Sequence, residues 1–261
     1  CDSLQRNPFC VRACYSRVQR MRLWAVVPAA GVGRRMEAAH PKQYLPLAGK
    51  TVIEHSVAAL LNIPSLHKIV VALGADDEYW RDLGCAEDAR IAQVEGGKER
   101  QDSVLNALEA LCELHGADAE DWVLVHDAAR PCVETADVEG LVTAVISACQ
   151  QNVHFGGGLL AASMDNTVKE SQETARTALP HVIATRQREL LWQALTPQLF
   201  PLGLLKQALL DAAASAVALT DESSALERLG YRPLLVASSK TNIKITHASD
   251  LLLAEAILAS R

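Results

Sequence analysis

No two cysteines in this 261-residue chain stand at C-x-x-C spacing, which excludes a paired-cysteine motif. Cys85, Cys112, Cys132 and Cys149 are widely scattered through apolar patterns and read as free thiols of a reducing cytoplasm. No apolar run approaches the roughly 18 residues that span a bilayer, so the chain carries no membrane helix. A positive charge balance is also missing: the net charge is −6, which excludes a general affinity for nucleic acid and requires any anion to be held at a focused site. The phosphate-loop pattern G-x-x-x-x-G-K-[ST] is absent. The dinucleotide fingerprint G-x-G-x-x-G starts at Gly31 and Gly33 but meets Met36 where its third glycine belongs, and no acid stands at the end of the next strand at the expected spacing of about 20 residues. There is no internal repeat.

What is present is concentrated after the first apolar run. Leu23 to Val27 (LWAVV) is continuous and β-prone, as expected of a central parallel strand buried on both faces. Chain leaving such a strand emerges at the carboxyl edge of the sheet, where open α/β folds bind ligands. The segment that emerges is PAAGVGRRMEAAHPKQY, Pro28 to Tyr44. Gly31 and Gly33 allow backbone N–H groups to approach phosphate oxygens, and Arg34, Arg35 and Lys42 supply cationic donors. Small Ala29 and Ala30 leave room for a flat base or a ribose. The pattern predicts a polyphosphate site.

The first twenty residues differ from the rest. Arg6, Arg12, Arg17 and Arg20 face one acid, Asp2, a net +3 that leaves −9 for the remainder. An arginine-rich, acid-poor leader fits a transit peptide; an upstream extension ahead of a start at Met21 is the reading favoured here. From Met21 onward the sequence reads as one domain of 241 residues, in a chain that is 49% hydrophobic and 21% charged. That is enough to bury one sizeable core.

Strand and helix patterns then alternate. Helix is predicted from about Thr51 to Asn62, strand from Lys68 to Leu73, strand near Ile91 to Val94, and a helix carrying Val104, Leu108, Leu111 and Cys112 on one face. Trp122 to His126 follows as strand, then a helix with Val138, Leu141, Val142 and Val145 aligned. Helices around 202–214 and 221–229, strands at Leu234 to Val236 and Ile243 to Ile245, and a helix from Ala248 to Leu258 complete the pattern. Such alternation predicts an α/β fold with a mainly parallel, Rossmann-like sheet flanked by helices on both sides. Residues 164–188 break the rhythm: Asn166 to Val168 and His181 to Thr185 flank a polar stretch, predicting a β-hairpin arm. An isolated two-stranded hairpin is marginal in water, so the arm asks for a partner, and a second copy of the chain is the partner expected.

Three further clusters fall at predicted strand ends. GGKERQDSV, Gly96 to Val104, opens a helix with glycines that permit close approach and with the hydroxyl of Ser103, a set suited to the edge of a nucleobase. HDAARP, His126 to Pro131, places Asp127 and Arg130 on a tight turn; the acid suits a metal, a sugar hydroxyl or a lysine, and the arginine a phosphate. NIKIT, Asn242 to Thr246, carries Lys244.

In order along the chain, PAAGVGRRM, HPKQYL, GGKERQDSV, VHDAARP, LWQALTPQ, TDESSALE and NIKIT resemble the bacterial 2-C-methyl-D-erythritol 4-phosphate cytidylyltransferases of the non-mevalonate isoprenoid pathway, from about Met21 to the C-terminus. The resemblance implies a homodimer in which each subunit's β-arm reaches its partner, and a reaction of CTP with methylerythritol 4-phosphate in the presence of Mg²⁺ bound mainly through the CTP phosphates. It places Ala29, Ala30 and Gly31 against the ribose and triphosphate, and Arg35 and Lys42 as the catalytic pair on the triphosphate. Gly97 and Ser103 fall on the cytosine-reading turn. Asp127, Ala128, Arg130 and Thr220 fall among the substrate-binding positions, with catalytic Lys244 on the acceptor side; Thr167 and Arg188 come from the partner's arm. Arg186 is close enough to Arg188 to compete for that role. Lys98 departs from members with an acid there, which puts side-chain contacts at that turn in question. A ribitol 5-phosphate cytidylyltransferase would share the nucleotide motifs, and a non-catalytic nucleotide-binding regulatory module is the alternative from another class.

Overall fold

A computed structural model of the chain describes residues 22–31, 40–150, 156–172 and 179–261. The predicted leader, Arg35 with its neighbours Gly33 and Arg34, and the tip of the arm lie outside the described residues.

β1 (Leu23–Pro28) is the central strand that its apolar run predicts. Because strand side chains alternate between faces, it feeds two cores. Ala25 and Val27 join one with Ile53, Val57 and Leu60 of α1 (Val52–Leu61) and Val138, Leu141 and Val145 of α3 (Thr135–Gln150). Trp24 and Val26 join the other with Val104, Leu108 and Leu111 of α2 (Arg100–His115) and Leu205 and Leu209 of α4 (Leu202–Ala214). Trp24 is fully buried, and its indole N–H donates to Asp121 Oδ2 at 2.9 Å, so the largest side chain of the strand leaves no polar atom unpaired.

β1 pairs in parallel with β4 (Leu66–Leu73) on one side and β6 (Trp122–Val125) on the other, and β4 continues to β5 (Ile91–Glu95). The sheet extends past β6 to β10 (Trp192–Pro201), β7 (Gly158–Ser163) and β11 (Leu234–Ala237), giving the order β11-β7-β10-β6-β1-β4-β5. β10 is antiparallel to both of its neighbours, and the other pairings are parallel. A mainly parallel sheet between helices is what the alternating pattern predicts. α1 begins behind a short hairpin of β2 (Pro46–Leu47) and β3 (Lys50–Thr51). Its start is fixed by a reciprocal cap: Thr51 Oγ1 accepts from the Glu54 N–H, and Glu54 Oε2 accepts from the Thr51 N–H at 2.8 Å. α5 (Glu222–Arg228) and α6 (Ala248–Ala259) lie where their patterns predict.

The predicted arm is a separate antiparallel sheet of β8 (Val168–Ser171) and β9 (Val182–Arg186), with Val168 opposite Arg186; β8 starts where the predicted run Asn166 to Val168 ends and takes in the first residues of the polar stretch. One predicted strand is corrected. Ile243 to Ile245 is irregular backbone; the Ile245 N–H donates to the Ala129 carbonyl at 2.8 Å, and the Asn242 N–H closes a turn onto Ser239. The alternation of Ile243, Lys244 and Ile245 comes from a loop that buries Ile245 among Ala129, Cys132 and Ala254 and turns Lys244 the other way.

Candidate active site

Three strand ends converge at the carboxyl edge. The chain leaving β1 is held by the Ala29 N–H, which donates to the Ala72 carbonyl of β4, and by Gln43. The buried Gln43 side chain donates from Nε2 to the carbonyls of Ala29 at 2.8 Å and Gly31 at 3.2 Å. Lys42, one residue earlier, donates from Nζ to the Ile245 carbonyl at 3.0 Å, bringing the cation from the first motif to the last.

Beyond β5, Gly96 and Gly97 are required by close approach. A Cβ on Gly96 would stand 2.5 Å from the Ala30 Cβ, and one on Gly97 would stand 2.2 Å from the Asp102 Cβ. Ser103 spends its hydroxyl on this turn: it accepts from the Gly97 N–H at 3.1 Å and faces the carbonyls of Glu99 and Gly97. Its part is to shape the turn that carries the backbone groups.

At the end of β6, Asp127 is the electrostatic centre. Its Oδ1 accepts from Arg100 Nε at 3.0 Å, its Oδ2 lies 2.8 Å from Lys244 Nζ, and Arg130 Nε stands 3.6 Å away. Burial by itself would raise the carboxyl pKa, but Arg100, Lys244 and Arg130 hold it well below the usual carboxylate range. Arg130 donates from Nη1 to the Asn242 carbonyl at 2.8 Å, while its buried Nε makes no hydrogen bond among the described residues. That Nε faces Asp127, so the guanidinium is held as a buried charge in the cleft wall. Arg100 also grips Glu222 through both terminal nitrogens, at 2.5 and 3.0 Å, a bidentate charged pair.

These groups divide two adjoining clefts. One, of about 170 Å³, is lined by Ala29, Ala30, Gly31, Lys42, Gly97, Ser103 and Ala128. The other, of about 240 Å³, is lined by Arg130, Thr196, Gln198, Thr220 and Asp221. Arg100, Asp127 and Lys244 line both, so the ion cluster is the seam where contents of the two clefts would meet. Every predicted site residue among the described ones lines a cleft except Thr167 and Arg188, which are exposed on the arm. Arg186 is engaged across the hairpin by Glu170, whereas Arg188 sits on a single turn of 3-10 helix (Arg188–Leu190) and donates to the Asp165 carbonyl.

Sequence reasoning did not single out Arg100, Glu222, Gln43, His126 or Thr196. Arg100, Glu222 and His126 lie inside quoted motifs, yet their partners are 122 and 70 positions away. A charged residue opening a helix looks like a solvated one until its partner is located.

Comparison with known proteins gives a consistent answer. The family model described as 2-C-methyl-D-erythritol 4-phosphate cytidylyltransferase matches residues 23–260. The enzyme of that name from Pseudomonas savastanoi pv. phaseolicola is 47% identical over 87% of this chain and 92% of its own. The one from Alteromonas mediterranea is 46% identical over 92% and 94%. Among solved structures, the Francisella tularensis 2-C-methyl-D-erythritol 4-phosphate cytidylyltransferase superimposes with a TM-score of 0.74 at 35% identity, covering 90% of this chain and 99% of that one. With one family model spanning the whole described domain and two clefts meeting at a buried aspartate, the chain belongs to the 2-C-methyl-D-erythritol 4-phosphate cytidylyltransferase family.

Proposed function

We propose that this chain joins CTP to 2-C-methyl-D-erythritol 4-phosphate, giving 4-diphosphocytidyl-2-C-methyl-D-erythritol and pyrophosphate for isoprenoid precursor synthesis. The observation that carries the reading is the shared wall: two clefts of unlike lining open on either side of Asp127, with Arg100 and Lys244 reaching into both. A bisubstrate transfer needs that layout.

The first cleft suits the nucleotide. Ala29 and Ala30 present small surfaces and Gly31 open backbone, with Lys42 beside them for the triphosphate and the Gly97–Ser103 turn for the cytosine edge. The second suits the acceptor: Arg130 places its positive charge in the wall, where a phosphate would be attracted, and Thr220 lines the same wall. A phosphate oxygen of the acceptor attacks the α-phosphorus in line, forming a new P–O bond as the bond to the bridging oxygen of the leaving pyrophosphate breaks. A phosphate monoester is anionic at neutral pH, so no general base is required. Catalysis then rests on alignment and charge neutralisation by Lys42 and Lys244, with Arg35 assigned to the same task from outside the described residues.

Mg²⁺ is the expected companion of the triphosphate, and when bound it neutralises charge on the leaving group. Asp127, the buried carboxylate of the cleft wall, is committed to three cations. The ion's ligands are therefore assigned mainly to phosphate oxygens and water.

Residues 21–261 form the catalytic domain in this proposal, and the arm of residues 164–188 the dimer contact, bringing Thr167 and Arg188 to the partner's acceptor cleft. The exposed apolar side chains of Val182, Ile183 and Leu190 support an arm that meets another surface. No helix among the described residues is long and apolar enough to cross a membrane. The free cysteines Cys85, Cys112, Cys132 and Cys149 support a cytoplasmic setting.

The deciding experiment measures pyrophosphate release with CTP and Mg²⁺, offering methylerythritol 4-phosphate and ribitol 5-phosphate separately, with ATP, GTP and UTP as controls. Turnover with CTP and methylerythritol 4-phosphate alone is expected. Turnover only with ribitol 5-phosphate would reassign the acceptor cleft, and silence with both would favour a non-catalytic nucleotide-binding role.

A further inference from the structure

We propose that Glu222 is a positioning residue for the transfer reaction: it holds the Arg100 guanidinium in the wall between the two clefts and fastens the nucleotide-reading turn to the acceptor segment. The proposal rests on the cytidylyltransferase reading.

The geometry has three parts. Glu222 is almost completely buried, at 1% exposure, and lines neither cleft, so it is placed to act through Arg100. Arg100 directs both terminal nitrogens to Glu222 and Nε to Asp127. A planar fork gripped on two edges has one orientation, which fixes the guanidinium in the wall that both clefts share. Arg100 also opens α2 three residues after Gly97, whereas Glu222 opens α5 two residues after Thr220. The ion pair thus ties the predicted base-reading turn to the predicted acceptor segment.

A second tether runs alongside it. Gln101 Oε1 accepts from the Leu219 N–H at 3.0 Å, joining the residue after Arg100 to the stretch before Thr220. The pair is braced from the sheet as well: Gln198 of β10 accepts from the Ser223 N–H at 2.9 Å and donates to Asp221 Oδ2 at 2.9 Å. Charge counting gives the pair its consequence. Arg100, Arg130 and Lys244 carry three positive charges against the two of Asp127 and Glu222. Without Glu222, Asp127 alone faces three cations, and Arg100 is free to swing onto the incoming phosphates in an unproductive pose.

The test is a double-mutant cycle with E222Q, R100Q and the double variant, reading kcat and both KM values with CTP and methylerythritol 4-phosphate. Thermal melting is followed in parallel. E222Q keeps the shape and one acceptor oxygen but removes the charge; kcat/KM for the acceptor is expected to fall on the order of 30-fold and CTP KM to move less than about twofold. Because Glu222 acts through Arg100, the double variant should be no more impaired than R100Q. A role in stability alone would lower the melting point without this non-additivity. E222Q within about twofold of wild type, or losses that multiply in the double variant, would overturn the proposal. Should E222Q fail to fold, the double variant, which leaves no unpaired arginine, decides by comparison with R100Q; its failure to fold would assign Glu222 to the scaffold and also overturn it. Wild-type turnover in the same assay separates these outcomes from failure of the functional reading.

Discussion

The Thr196 hydroxyl lies 3.0 Å from His126 Nδ1 in the interior of the domain, and its surroundings dictate which atom donates. His126 Nε2 faces the Arg130 carbonyl at 3.2 Å. A carbonyl only accepts, so Nε2 carries the hydrogen, Nδ1 accepts the Thr196 proton, and the Thr196 oxygen in turn accepts the Asp127 N–H at 3.0 Å. This chain of three bonds fixes the turn that carries Asp127.

A pH dependence of stability follows. Burial pushes the His126 imidazole down to about 4. An unfolded chain protonates this histidine below about pH 6.5 and the native chain does not until about pH 4, so over that window the unfolded state binds more protons. Stability is complete above the window and falls by roughly 3 kcal/mol as pH drops through it. The depressed carboxyl of Asp127 adds its own loss only below about pH 4. Urea midpoints near pH 7 and pH 5 for the native protein and His126→Gln give the check: the variant should be clearly less pH-sensitive, and equal slopes would remove His126 as the source.

Lys42→Ala and Arg188→Ala should complement each other. Lys42→Ala is expected to lose about 10²-fold or more in turnover with the fold intact; Arg188→Ala should raise the acceptor KM and leave CTP binding little changed. If each acceptor cleft takes its arm from the partner, equal mixing after dissociation and reassociation yields mixed dimers with one intact site, and about a quarter of native activity should return. No recovery would place Arg188 with its own subunit's cleft.

Gln43→Leu should separate the two substrates. Each of the two hydrogen bonds from Nε2 to the Ala29 and Gly31 carbonyls is worth about 0.5–1.5 kcal/mol. Their loss should raise the CTP KM about tenfold and leave the acceptor KM within about twofold. Isothermal titration with CTP checks the first half directly; unchanged CTP affinity would mean that the loop after β1 keeps its shape unaided.

Gly97→Ala is expected to impair CTP use more than stability. The added Cβ meets the first turn of α2 at 2.2 Å from the Asp102 Cβ, so the turn must shift, at about 1–3 kcal/mol. The shift falls on backbone groups facing the first cleft. A CTP KM raised on the order of tenfold, beside a melting temperature lowered by only a few degrees, is the expected pair of results.

The parts legible in the sequence were those set by local chemistry. β1 announced itself because a strand buried on both faces has no room for polar residues, and α1 because Ile53, Val57 and Leu60 recur on one face. β10 stayed hidden as a strand inside LWQALTPQ. Its pairing with β7 is interrupted between Ala194 and Gln198, around Thr196 and Pro197, so neither alternation nor a continuous apolar run is visible. β7 is built from glycine, alanine, leucine and a final serine, with no β-branched residue to mark it. Lys42, Asp127 and Lys244 could be placed by motif. Arg100 and Glu222 could not, since a buried ion pair is a property of two segments brought together by the sheet.

The direction of β10 has one more consequence. Since it runs against β6 and β7, Trp192 pairs with Ser163 on the same edge of the sheet that carries the clefts, and the whole arm is inserted as the connection of an outsized β7–β10 hairpin. Its two junctions, Ser163 and Trp192, are adjacent, so the arm is a cassette. A chimera could exchange residues 164–191 for another family member's arm without disturbing strand order, and whatever that arm touches would travel with it as one inheritable unit.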